Sequence, residues 1–284
     1  GRHGRDFVAM ATSPEELAAF HGADAPLVEP VRAYVGLDSA DSTELRAELA
    51  VRELERAGGF DRSLLVVVVV TGSGWVDPDA AEAIEQLHRG DTALIGMQYS
   101  FLPSWIATLI EADASTESSV ALFNAVHARW STLDPATRPK LVVFGQSLGS
   151  YGAEAVFAGP TAAASMANLT DRTEGAFFTG PTNSNPIWGQ LTDAREAGSP
   201  EWRPVYDGGG RVRFANRDPE VDAADPAWDA PRVLYIQHPT DPVTFWSPSS
   251  LWSRPGWLDE PRGVAVTPQA SWFPIVTGVQ GVFD

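Results

Sequence analysis

Seven consecutive residues, Leu64–Val70 (LLVVVVV), constrain this chain more than any other stretch. A run this apolar and this rich in β-branched side chains has no polar face to turn to water. It reads as a strand covered on both sides, the situation of a central strand in a parallel sheet. Parallel neighbours need crossover connections, usually helices, and the flanking chain supplies them. Val31–Leu37 reads as a strand. Ser42–Arg56 reads as an amphipathic helix with Ser42 as its N-cap and Gly58-Gly59 as its stop. A helix over Asp79–His88, a strand over Thr92–Gln98, a helix over Ser118–Trp130 and a short strand over Leu141–Phe144 follow, and Gly175–Thr179 and Val233–Gln237 complete the strands. The alternation predicts the α/β class, a mostly parallel sheet with helices on both faces. A length of 284 residues suits one such domain, 1–284. Gly180–Ala230 interrupts the pattern with Pro, Gly, Asn, Asp and Trp and little periodicity, which predicts a cap or lid insertion, residues 180–230.

Charge and cysteine content narrow the chemistry. Twenty Lys and Arg against 37 Asp and Glu leave a formal net charge of −17. That argues against a nucleic-acid partner, whose phosphates are met by clustered basic side chains, and against docking on an anionic membrane surface. Without cysteine there is no disulfide, thiolate zinc site, iron–sulfur cluster or thiol nucleophile. No metal-binding motif and no phosphate-cradling glycine motif stands after a strand, so no cofactor is expected. No apolar run is long enough to span a bilayer. The chain opens Gly1-Arg2-His3-Gly4 without Met, so it is expected to be a domain of something longer.

The chemistry-bearing motif is Gly145-Gln146-Ser147-Leu148-Gly149, directly after LVVF and running into SYGAEAVFA. A serine on a tight strand-to-helix turn stands with its hydroxyl above the sheet. Flanking glycines let strand and helix approach, and the next amide, Leu148, faces a developing oxyanion at the positive end of the helix. Ser147 is therefore the candidate nucleophile and Leu148 a candidate oxyanion donor. The loop Thr71-Gly72-Ser73-Gly74-Trp75, straight after the valine run, is the expected source of the second donor, assigned to Ser73. In chain order the acid comes next, and Asp241 in His238-Pro239-Thr240-Asp241-Pro242 holds that place. The plain alternative for Asp241 is an Asx turn before proline. Gly72, Gly74, Gln98, Tyr99, Gln146, Asn183, Asn185 and Trp246 are candidate pocket contacts. Six tryptophans in or near the cap and acid loop suit an apolar acyl or aromatic substrate wall, and equally suit packing of the cap.

These segments carry a resemblance. The elbow, TGSGW and HPTDP look like the α/β-hydrolase fold. GRHGRDFVA, YVGLDSA, RAELAVRELERAGGFDRS, TGSGWVDP, FGQSLGSYG, GPTNSNPIW and LYIQHPTDPV resemble the catalytic domain of an actinobacterial family of membrane-associated α/β-hydrolases. That resemblance implies Ser147 as nucleophile, Asp241 as acid, a parent protein anchored in a membrane outside this segment, and no particular substrate. The expected reaction is acyl transfer from a small-molecule or lipid-like ester or thioester by a serine esterase. The alternatives are a non-catalytic binding domain of the same fold and an envelope acyltransferase using the same serine. One feature departs from the family pattern. A triad histidine follows the acid, yet His3, His21, His88, His127 and His238 all precede Asp241. A histidine beyond Asp284, a substitute base such as His238 or His3, and a domain without catalysis are the three readings left open.

Overall fold

The computed structural model describes residues 1–22, 24–102, 112–222, 227–269 and 271–283. The chain divides into two compact units. The first is Gly1–Val156 with Arg172–Glu174, the second Phe157–Asp171 with Gly175–Asp284.

The first unit contains strands β1 (Val31–Val35), β2 (Leu64–Val69), β3 (Thr92–Met97) and β4 (Lys140–Gln146), in spatial order β1-β3-β2-β4 with parallel pairing throughout. Every residue of β2 and β3 is buried, as two-sided cover of the valine run requires. Helices Thr43–Arg56, Pro78–Leu87 and Ala112–Trp130 make the crossovers. The first of these starts at Ser42, whose side chain accepts the Leu45 N–H, and stops before Gly58 in the left-handed conformation. The second starts at Asp77, whose carboxylate accepts from Asp79 and Ala80 N–H. Two further helices, Arg2–Ala9 and Pro14–His21, precede β1. β2 and β4 run level: Val69 stands opposite Gly145, so their carboxyl ends open side by side. Loops at the carboxyl ends of neighbouring parallel strands are where this class of sheet presents its chemistry.

The second unit contains β5 (Gly175–Thr179), β6 (Val212–Ala215) and β7 (Arg232–Ile236), in order β5-β7-β6, again parallel. The stretch expected to be an irregular insertion is therefore regular in part. Gly180–Ala230 carries helix Pro186–Asp193 and strand β6 among its described residues, while residues 223–226 lie outside them. β6 is only four residues long, and Arg213 sits in its middle, with Nε donating to Gly209 O and Nη1 to Val221 O. A buried arginine inside so short a strand erases the apolar run by which strands are read. Among the described residues no helix is long and apolar enough to cross a membrane.

Candidate active site

In the first unit, β4 ends in Gln146 and the helix Leu148–Ala155 begins one residue later. Ser147 makes the turn alone, at φ 51° and ψ −124°. A non-glycine residue avoids this region unless its surroundings enforce it, at about 1–3 kcal/mol. Here the enforcement is visible. The helix is pressed so close to β2 that a Cβ on Gly149 would overlap the Val69 carbonyl oxygen. Ser147 is half-buried, and its hydroxyl does not cap the helix that it precedes. Its carbonyl instead accepts from the Ser150 N–H at 2.8 Å and the Ser150 hydroxyl at 2.6 Å. Among the described residues, Ser147 Oγ and the Leu148 N–H have no hydrogen-bond partner. The beginning of the helix thus keeps a hydroxyl and an amide for something else.

The loop after β2 is held by a different means. Thr71 and Trp75 exchange backbone hydrogen bonds at 3.0 and 3.1 Å, and Gly74 N–H also donates to Thr71 O at 3.1 Å. Gly72 N–H donates to the Tyr99 hydroxyl at 2.9 Å. Gln98 Nε2 donates to Ser73 O at 3.0 Å and to Ser100 O at 2.8 Å, and the Tyr34 hydroxyl donates to Gly74 O at 2.8 Å. Gly74 at φ 97° admits this contact because a Cβ there would overlap the Tyr34 oxygen. Of the five backbone N–H groups from Thr71 to Trp75, only that of Ser73 is without a partner among the described residues. Ser73 and Leu148, the two expected donors, are the two amides left unspent. They belong to loops leaving adjacent parallel strands, and the Leu148 side chain packs with Val70 and Tyr99, against Tyr34.

Gln98 and Tyr99, expected as pocket contacts, are 2% and 6% exposed and turned to the loop's backbone. Gln146 is half-buried, with its Oε1 buried and unpartnered among the described residues. Tyr34 was not legible as a site residue. It is one aromatic position in a buried strand, and its link to Gly74 exists only once β1 and β3 have paired. Burial, and then neighbouring Tyr99, push its phenol far above the ordinary tyrosine value, so it remains a neutral donor.

In the second unit, Asp241 follows β7 and caps the short helix Pro242–Phe245, its Oδ1 accepting the Val243 N–H at 2.9 Å. One carboxylate oxygen thus performs the Asx-turn role, while Oδ2 has no partner among the described residues. The loop is tied to the segment after β5. Thr244 Oγ1 donates to Pro181 O at 2.6 Å, and Asn183 N–H donates to Val243 O at 3.2 Å. Asn185, expected at a pocket mouth, is buried, and its Oδ1 accepts from Thr182 N–H and Thr182 Oγ1, a turn-forming role. Asp241 borders a cavity of about 360 Å³ walled by Phe245, Trp246, Trp257 and Val266. Trp246 is fixed by its indole N–H donating to Gly278 O at 2.7 Å.

His238 is exposed, with Nδ1 2.7 Å from Thr240 Oγ1 in its own loop. His21 and His88 sit against the Gln86 and Ile84 carbonyls. His127 stacks on Phe123, and burial, then Arg172 and Arg138, lower its pKa. His3 lies half-buried in the first helix.

A family profile described as "Alpha/beta-hydrolase family" matches residues 31–284. The chain belongs to the alpha/beta-hydrolase family. The match spans both units and takes in the Ser147 elbow, the Ser73 loop and the Asp241 loop. The parallel strands and intervening helices are those of an α/β-hydrolase fold. No curated protein and no solved structure matches the chain.

Proposed function

We propose that this α/β-hydrolase is a serine esterase acting on a carboxylic ester or thioester through an acyl-enzyme. The observation that carries the reading is Ser147 in a strained backbone conformation with an unspent hydroxyl, beside the free Leu148 amide. Backbone strain clusters at active sites, where it is part of the mechanism. Ser147 Oγ attacks the acyl carbon while a general base takes its proton, and the carbonyl oxygen becomes an oxyanion facing the Leu148 and Ser73 amides. Collapse expels the alkoxide or thiolate, which takes up the proton. Water then repeats the cycle and frees the acid. Asp241 is the carboxylate assigned to orient and stabilise an imidazole base. The aromatic cavity beside it suits the apolar part of a small or lipid-like ester.

The test is hydrolysis of short-chain p-nitrophenyl esters, with and without imidazole in solution. With a base in place, Ser147→Ala should lose about 10⁴-fold or more. If a base is what the site lacks, imidazole should raise the wild-type rate above the imidazole-only background, and Ser147→Ala should stay at that background. Retention of most activity by Ser147→Ala refutes the reading.

One set of observations favours a second reading, a binding domain of the same fold. Asp241 Oδ1 is spent on a helix cap, and the nitrogen of His238 meets Thr240 in its own loop. A fluorophosphonate probe decides between the two, since an adduct on Ser147 marks an activated nucleophile and a binding domain forms none.

A further inference from the structure

We infer that Tyr99 is a positioning residue that sets the second oxyanion donor, acting through the backbone of the Thr71–Trp75 loop. The inference rests on Ser147 being the nucleophile. A glycine-bearing turn has two ways to present its amides, and a peptide flip exchanges an N–H for a C=O at the same place. An amide that must serve as a donor therefore needs its neighbours pinned. The peptide before the Ser73 amide is pinned at the Gly72 N–H by the Tyr99 hydroxyl, and the one after it at the Ser73 carbonyl by Gln98 Nε2. The next carbonyl, Gly74, is held by Tyr34.

Tyr99 does two jobs in this arrangement. Its hydroxyl is an acceptor for an N–H that would otherwise compete with Ser73 for the same anion. Its ring packs against Leu148, the residue carrying the first donor. One buried side chain thus touches the backbone of one donor loop and the side chain of the other. Gln98 is fixed in turn: its own carbonyl accepts from Arg46 Nη1 at 3.0 Å, and Arg46 is itself buried. Tyr99 and Gln98 are 6% and 2% exposed, and their contribution passes through the Ser73 amide.

The hydroxyl alone is removed in Tyr99→Phe. Labelling of Ser147 by a fluorophosphonate is followed by intact mass, in imidazole buffer that supplies a base equally to both proteins. The phosphonyl oxygen gains negative charge in that reaction and probes the two amides. Loss of a whole oxyanion donor costs about 10²–10³-fold, and a mispositioned one should cost about 10–100-fold in labelling rate. For p-nitrophenyl butyrate, kcat should fall by a similar factor with KM unchanged. Tyr34→Phe, which releases the Gly74 carbonyl at the far side of the loop, should show the same split to a smaller degree, and it serves if Tyr99→Phe does not fold. Labelling and kcat within about 2-fold of wild type in folded Tyr99→Phe overturn the inference alone. A lowered melting temperature with unchanged kcat per folded molecule does so too, because it shows a role in packing only. A wild-type protein that never forms the Ser147 adduct overturns the underlying reading, and the inference with it.

Discussion

Ser147 carries two demands that oppose each other, one on the backbone and one on the hydroxyl. The strained turn costs about 1–3 kcal/mol, whereas glycine at the same place would be strain-free at an entropic cost of about 0.5–1 kcal/mol. Ser147→Gly should therefore raise the stability of the fold by about 0.5–2 kcal/mol in urea titrations while abolishing activity. Ser147→Ala keeps a Cβ in the same conformation and should show no such gain. Equal stabilities for the two variants would falsify the claim of strain. Tyr34 gives a residue-scale prediction in pH. Its folded pKa lies above the unfolded value of about 10. The contribution is present in full below that pH and is lost as pH rises above it towards the folded value. Stability should thus decline more steeply above about pH 10 in wild type than in Tyr34→Phe, checked by thermal melts from pH 8 to 11. Parallel slopes would remove Tyr34 as the cause.

At the scale of elements, a buried ion pair is one of the links between the segment ahead of β1 and the rest of its unit. Arg32 on β1 and Glu85 on the helix Pro78–Leu87 meet with side chains 2% and 0% exposed. Both guanidinium–carboxylate contacts are made, Nε to Oε1 at 2.5 Å and Nη2 to Oε2 at 2.8 Å. The leading segment plugs in from outside: Phe7 O accepts from Arg32 Nη1, and Thr12 donates to Glu85 through both N–H and hydroxyl. Glu85→Gln leaves the Arg32 charge buried and uncompensated and should cost about 3–5 kcal/mol. The double variant Glu85→Gln/Arg32→Met should be less destabilised than the single, and limited proteolysis should release residues 1–22 from the single variant first. A double variant worse than the single would contradict this. None of this was legible in the sequence. Arg32 lies in a strand and Glu85 in a helix far along the chain, and their meeting is a tertiary fact. The same limit explains what was read and what was not in the candidate site. Ser147, Leu148 and Ser73 announce themselves through glycines, which record local backbone demands. β2, β3 and the Ser42 cap are legible for the same reason, as patterns complete within a few residues. Tyr34, Gln98 and Tyr99 reach the Thr71–Trp75 loop across paired strands, so the sequence offers the last two only as candidate pocket contacts at a strand end. Asn185 stands in a conspicuous motif, and its Oδ1 accepts from Thr182 in its own turn, a contact that the motif alone does not show.

On the scale of the whole molecule, the formal charge of −17 is the property no single site expresses. It sets the field through which any substrate approaches, and such a field acts on encounter more than on chemistry. The Debye length is about 30 Å at 0.01 M salt and about 8 Å at 0.15 M, so the effect belongs to dilute buffer. Three esters of one acyl group, with cationic, neutral and anionic leaving groups of similar size, separate this field from local contacts. At low salt kcat/KM should rank cationic above neutral above anionic, by about 10-fold across the series. Added salt should close the gap from both ends while kcat for each ester stays within about 2-fold. A ranking that survives high salt would mean instead that a carboxylate touches the leaving group.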